Sequence, residues 1–68
     1  MYYIVEHDMK VHQIIDQKGN ANKYGKAKLF KTAEDAWYWL SRHKKGMTAT
    51  QPCYEVKEAT PEQLKQWR

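Results

Sequence analysis

The sequence predicts a small α+β domain: an antiparallel sheet of three to four strands, one main helix at about residues 32–45 packed on one face, and a short C-terminal helix at about 61–67. Three observations predict it. Two short runs near the N-terminus are rich in β-branched and aromatic residues. A capped amphipathic stretch follows in the middle of the chain. Near the end, Thr60-Pro61-Glu62-Gln63 is a strong helix start, with Thr as N-cap, Pro at the first helical position and Gln completing a capping box. At 68 residues the chain makes one domain. Such a chain buries only roughly 60% of its unfolded surface, so its core is thin and a deep substrate cleft has little room.

Residues 2–6 read as the first strand, with Tyr3 and Val5 on one face and Tyr2 and Ile4 on the other. Apolar side chains on both faces predict a central strand, or an edge strand that a terminal segment covers. Residues 11–15 read as the second strand, joined to the first by a turn at 7–10. Residues 16–25 read as a basic, polar loop, expected to be a mobile finger. Its Lys18-Gly19-Asn20 and Lys23-Tyr24-Gly25 put glycine and asparagine where the backbone needs freedom. Residues 26–30 read as a short third strand, with Ala27 and Leu29 on one face and Lys26, Lys28 and Phe30 on the other.

The main helix starts at an N-cap, Thr32, with Asp35 three residues on in a capping-box position. Glu34 and Asp35 fall in the first turn and Arg42, His43, Lys44 and Lys45 in the last, as the helix dipole favours, and Gly46 suits the C-terminal cap. Ala33, Ala36, Trp37 and Leu40 follow the i, i+3, i+4, i+7 rule and form the expected buried stripe. Tyr38, Arg42 and Lys45 then fall on the far side, and Trp39 and His43 on one flank. Residues 47–52 read as a loop. Residues 53–57 form a fourth strand with Tyr54 and Val56 inward and Glu55 and Lys57 outward. Leu64 and Trp67 lay the last helix against the body, or Trp67 stays exposed as part of a dimer contact.

The charge is not uniform. From Lys18 to Lys45 there are eight basic and two acidic residues; the rest of the chain holds four basic and six acidic, so the net +4 belongs to the middle segment. That segment also holds Trp37-Tyr38-Trp39, three adjacent rings that cannot all face one core from a helix. A basic segment with a spare aromatic points to a binding surface. The candidate contact residues are Lys23, Lys26, Lys28, Lys31, Tyr38, Trp39, Arg42, Lys44 and Lys45. The lysines would neutralise phosphates, Arg42 would offer a planar forked donor, and Tyr38 or Trp39 would stack on a base or sugar. The alternative for the same residues is an ordinary solvated face or a protein-binding face, with Trp39 capping the core edge or burying against the C-terminal helix.

Other chemistries find little support. Zinc needs three or four ligands on one point. The soft ligands are His7, His12, His43 and Cys53, at no recognised ligand spacing, although His7 and His12 could face each other across the first hairpin. Ser41, the sole serine, sits in a helix interior, and Cys53 beside Pro52 reads as a small packing residue. Glu6, Asp8 and Asp16 flank the first hairpin without a calcium-loop pattern, and no glycine stretch forms a phosphate loop. No catalytic residue, metal or cofactor is therefore expected. One cysteine cannot staple a secreted fold, so the cytoplasm is the expected compartment. No apolar run approaches the ~20 residues of a membrane span. The N-terminus lacks a signal-peptide pattern, and the chain reads as a complete small open reading frame.

Residues 25–40, from Gly25-Lys26-Ala27-Lys28 through Phe30-Lys31-Thr32 to Trp37-Tyr38-Trp39-Leu40, resemble the last strand and helix of the arm-type DNA-binding domains of phage integrases. In that family a basic strand ends in a Phe-x-Thr turn, and a helix with Glu/Asp-Ala and Trp-Leu follows. The family binds DNA through its three-stranded sheet, which implies contacts from Lys26 and Lys28. This chain has no recombinase catalytic domain, and a further strand, Tyr54-Glu55-Val56, follows the helix. In that respect it resembles small phage and prophage proteins of ββαβ plan, some of which inhibit host or defence machinery. The expectation is a non-enzymatic, basic binding module of mobile-element origin that contacts nucleic acid or a nucleic-acid-handling complex. The alternative is a protein-directed accessory factor, such as an inhibitor of a host or defence enzyme, that meets an acidic protein surface, or a homodimer that presents its sheet edge. Neither reading involves a membrane.

Overall fold

A computed structural model describes residues 1–8, 11–43 and 53–67, with the backbone alone at Asp8 and Cys53. The elements are β1 (Tyr2–Asp8), β2 (Val11–Ile15), β3 (Ala21–Asn22), α1 (Ala33–His43), β4 (Cys53–Glu58) and α2 (Pro61–Trp67). They form the expected α+β architecture, an antiparallel sheet in the order β3-β2-β1-β4 with two helices. Part of the expected first turn (Met9, Lys10), the expected helix end (Lys44, Lys45, Gly46) and the expected loop 47–52 lie outside the described residues.

β1 is central because its two faces are both apolar. Tyr3 and Val5 face one core with Ala27, Ala59 and Trp67. Ile4 faces the other with Ile15, Phe30, Ala36 and Leu40. Ile4, Ile15 and Leu40 lose essentially all contact with water, and burial of each stabilises the fold by about 1.5–3 kcal/mol. The register aligns these rows: Val5 opposes Ile14 and Glu55, and Ile4 opposes Val56. On β4, Tyr54 and Val56 turn to the α1 side and are half-buried, while Glu55 and Lys57 are exposed, as the alternation requires.

The expected third strand is a correction. Residues 26–30 form no ladder strand. They cross the ends of β2 and β1, making one bridge to each, Asp16 with Ala27 and Tyr2 with Phe30. Lys28 N–H donates to the Ile15 carbonyl at 2.9 Å, and Tyr2 and Phe30 exchange two bonds at 2.8 Å. The side-chain alternation survives without the ladder: Ala27 and Leu29 enter the Tyr3 core and Phe30 the Ile4 core. β3 lies instead inside the stretch expected to be wholly loop, where Ala21 and Asn22 pair with Ile15 and Ile14.

Both helices begin where their caps predict. The Asp35 N–H donates to Thr32 Oγ1 at 3.1 Å. In α2 the box is reciprocal: Gln63 N–H donates to Thr60 Oγ1 at 3.2 Å, and Thr60 N–H donates to Gln63 Oε1 at 2.9 Å. α2 then lays Trp67, 6% exposed, edge-on against Tyr3, with ring centroids 4.9 Å apart. Gln63 Nε2 also donates to the Tyr3 hydroxyl at 3.3 Å.

Candidate functional site

The basic loop is organised by a carboxylate. Asp16 Oδ1 accepts the N–H groups of Lys18 and Asn20, both at 3.0 Å, and Asp16 Oδ2 accepts Asn22 Nδ2 at 3.4 Å. Backbone bonds from Asp16 N–H to the Asn20 carbonyl and from Gly19 N–H to the Asp16 carbonyl close the turn. Asn22 Oδ1 in turn accepts the Tyr24 N–H at 3.1 Å. These donors, the Asn20 N–H first, hold the Asp16 carboxyl below its ordinary pKa of 3.8. The loop expected to be a mobile finger contains a hydrogen-bonded turn at 16–20. A cleft of about 310 Å3 opens beside it, lined by Asp16, Gln17, Lys18, Asn22, Gly25 and Lys26. Two backbone donors of the turn, the Lys18 and Asn20 N–H groups, already serve Asp16.

The turn is fitted to the helix. Gly19 has φ +88, and a Cβ there would lie 3.1 Å from Trp39 Cζ2. Trp39 also packs against Phe30, with centroids 6.1 Å apart, and stacks on His43 at 4.7 Å. This departs from the expected division of the aromatic triplet. Trp37, expected in the buried stripe, is 49% exposed; Trp39, expected either on the binding face or capping the core edge, is half-buried against the core. The two rings sit on opposite flanks of the Ala36–Leu40 stripe, at similar angles from it. The Gly19 turn and Phe30 provide a wall on the Trp39 side, and that wall decides which ring is covered.

Tyr38 is where the sequence places it, on the outer side of α1 and 62% exposed. Arg42, one turn on, donates from Nη1 to the Tyr38 hydroxyl at 3.0 Å, and its guanidinium lies 5.6 Å from the ring centroid. Trp37, Tyr38 and Arg42 thus form an exposed aromatic and cationic surface. Lys31 is exposed just before the helix, and Lys23 and Lys26 are exposed in the segment after β3. Lys28 is half-buried, its Nζ 5.9 Å from the Phe30 ring. Trp37 is an exposed ring that helical periodicity assigned to the core.

At the opposite end of the sheet His7 and His12 are cross-strand partners, as expected, with rings 4.4 Å apart and nearly perpendicular. His7 Nε2 is 2.8 Å from Glu55 Oε1. Among the described residues no group of three His, Cys, Asp or Glu is placed to hold a metal ion. Ser41 Oγ donates to the Tyr38 carbonyl at 2.7 Å, an ordinary back-bond within a helix. Tyr54 donates to Glu6 Oε1 at 2.8 Å, and burial, followed by the Glu6 carboxylate, pushes its phenol up to about 12. Among the described residues no helix is long and apolar enough to cross a membrane. No protein-family model matches the chain, and neither a curated protein nor a solved structure matches it.

Proposed function

We propose that this chain is a non-enzymatic binding module that contacts nucleic acid, or a complex that handles it, through the outer side of α1. The observation that carries the reading is the exposed Trp37–Tyr38–Arg42 surface in a chain whose positive charge is concentrated around that helix. Exposed rings stack on bases whatever their identity, and a guanidinium matches phosphate oxygens. Lys23, Lys26, Lys28 and Lys31 add charge before the helix, and Lys44 and Lys45 follow it in sequence. Contact through α1 differs from the sheet-face mode implied by the integrase resemblance, because residues 26–30 cross the strand ends and make no strand face. That resemblance supports an origin in a mobile element. A single cysteine fits action in the cytoplasm.

The test is tryptophan emission during titration with mixed-sequence single- and double-stranded DNA and RNA, at low and near-physiological salt. Saturable quenching is expected, weakening with salt by a log–log slope of about 0.7–0.9 for each phosphate neutralised. Trp37→Phe is expected to remove most of the quenching and Trp39→Phe to leave it, with Arg42→Glu weakening binding. No response at low salt overturns the reading. The same side chains then serve an acidic protein surface, since Trp, Tyr and Arg dominate protein contacts as well.

A further inference from the structure

The two edges of the sheet are unequal. On one side the sheet ends in β3, two residues long. On the other it ends in β4, six residues long, and among the described residues no strand pairs with its outer edge. A long open edge is a template for another strand.

The phase of that edge follows from two hydrogen bonds. Ala59 N–H donates to the Met1 carbonyl at 2.9 Å, so Ala59 faces β1. Alternation along an antiparallel pair then turns Lys57, Glu55 and Cys53 toward β1 as well. Tyr2 exchanges its bonds with Phe30, on the side away from β4, which agrees with this phase. The N–H and C=O groups of Tyr54, Val56 and Glu58 therefore point outward.

We infer that β4 pairs antiparallel with β4 of a second copy of this chain about a two-fold axis at Val56. Outward groups can only meet outward groups, so the axis falls at a residue; axes at Glu55 and Val56 each pair five of the six strand residues, and axes at the other positions pair three or fewer. An axis at Glu55 sets Glu55 against itself, and an axis at Lys57 sets Lys57 against itself. Both face like charges. An axis at Val56 sets Val56 against Val56 of the partner subunit and Tyr54 against Glu58 of the partner subunit, each facing pair exchanging two ladder bonds. In the same register Glu55 meets Lys57 of the partner subunit, and symmetry repeats that contact. These are pairs without mutual ladder bonds, where Cα atoms approach to about 4.5 Å and opposite charges interact best. Lysine on an edge ordinarily repels a second strand; here the glutamate two residues before it answers it. The continuous sheet this makes does not depend on what α1 binds.

Sedimentation equilibrium of the intact chain over a wide concentration range tests the inference. The wild type is expected to dimerise. Lys57→Glu makes both contacts Glu–Glu, and Glu55→Lys makes both Lys–Lys; each is expected to weaken self-association about tenfold or more. Mixing the two variants restores Glu–Lys contacts in the heterodimer and is expected to restore the dimer mass. Circular dichroism checks that each variant folds. Should Glu55→Lys fail to fold through loss of its His7 contact, amide exchange of the wild type decides: Tyr54, Val56 and Glu58 are expected to slow as concentration rises. A wild type that stays monomeric, a Lys57→Glu variant that dimerises as well as wild type, or concentration-independent exchange at those amides overturns the inference.

Discussion

The two helices treat their tryptophans differently. α2 has seven residues and buries its one ring against Tyr3; α1 has eleven, carries two tryptophans and a tyrosine, and half-buries only Trp39. In α2 the apolar residues Leu64 and Trp67 are three apart and share one direction, and a reciprocal capping box fixes where the helix starts. Its docking face follows from local sequence. In α1 the stripe of Ala36 and Leu40 is narrow, and a large ring flanks it on either side. Which ring is covered depends on a turn more than a dozen residues earlier in the chain. A helix with one apolar direction declares its packing, whereas a helix with two candidate flanks leaves it to tertiary neighbours.

The largest expected effect breaks the α2 side of this comparison. Trp67→Ala removes a ring that is 6% exposed and closes the Tyr3 core, at a cost of about 3–5 kcal/mol. A domain of this length has roughly 3–10 kcal/mol of total stability, so urea titration should find the variant largely unfolded or close to it. A loss below about 1 kcal/mol would mean that α2 is an appendage and not a lid on the second core.

The α1 side is sharpened by Gly19→Ala. At φ +88 an alanine is strained by about 1–2 kcal/mol, and its Cβ would press on Trp39 at 3.1 Å. The variant should lose about that much in thermal unfolding, and its tryptophan emission should shift as Trp39 becomes more exposed. Trp39→Ala should abolish the emission shift and leave only the backbone strain. If Gly19→Ala is neutral, the turn does not wall Trp39, and the reason for the asymmetry between Trp37 and Trp39 must lie elsewhere.

These cases show what was legible. β1 reads as central because Tyr3, Val5 and Ile4 give it two apolar faces, and the structure covers both. Thr32 and Thr60 read as caps because the cap bond is local. Residues 26–30 alternate like a strand, yet a ladder needs a partner of matching length. Among the described residues, the backbone partners at the ends they cross are Ile15, Asp16 and Tyr2. Trp37 fell into the periodic stripe because i, i+4 spacing does not weigh one flank against the other. By sequence Asp16 reads with Glu6 and Asp8 as one of three carboxylates flanking the first hairpin. The signal that identifies it is local: Asp at the first position and Gly at the fourth of Asp16-Gln17-Lys18-Gly19 is a turn pattern with its own side-chain acceptor.

The smallest expected effect concerns that carboxylate, which shapes the turn that meets Trp39. Its folded pKa lies below the ordinary 3.8 because the Asn20 N–H, with Asn22 and Lys18, bonds the ionised form. Lowering the pKa of an acid on folding favours the native state wherever the acid is ionised. The contribution is therefore present above about pH 3.8 and is lost as the pH falls through the lower, folded value. Asp16→Asn keeps an acceptor but removes the charge, so its melting temperature should lie slightly below that of the wild type near neutrality. The gap should close as both are acidified past pH 3.8. Every other ionisable group is common to both proteins, so its effect cancels in the difference. A gap that persists unchanged to low pH would show that the asparagine disturbs the turn by shape alone. The ionised Asp16 would then not be what holds Gly19 in place against the α1 flank.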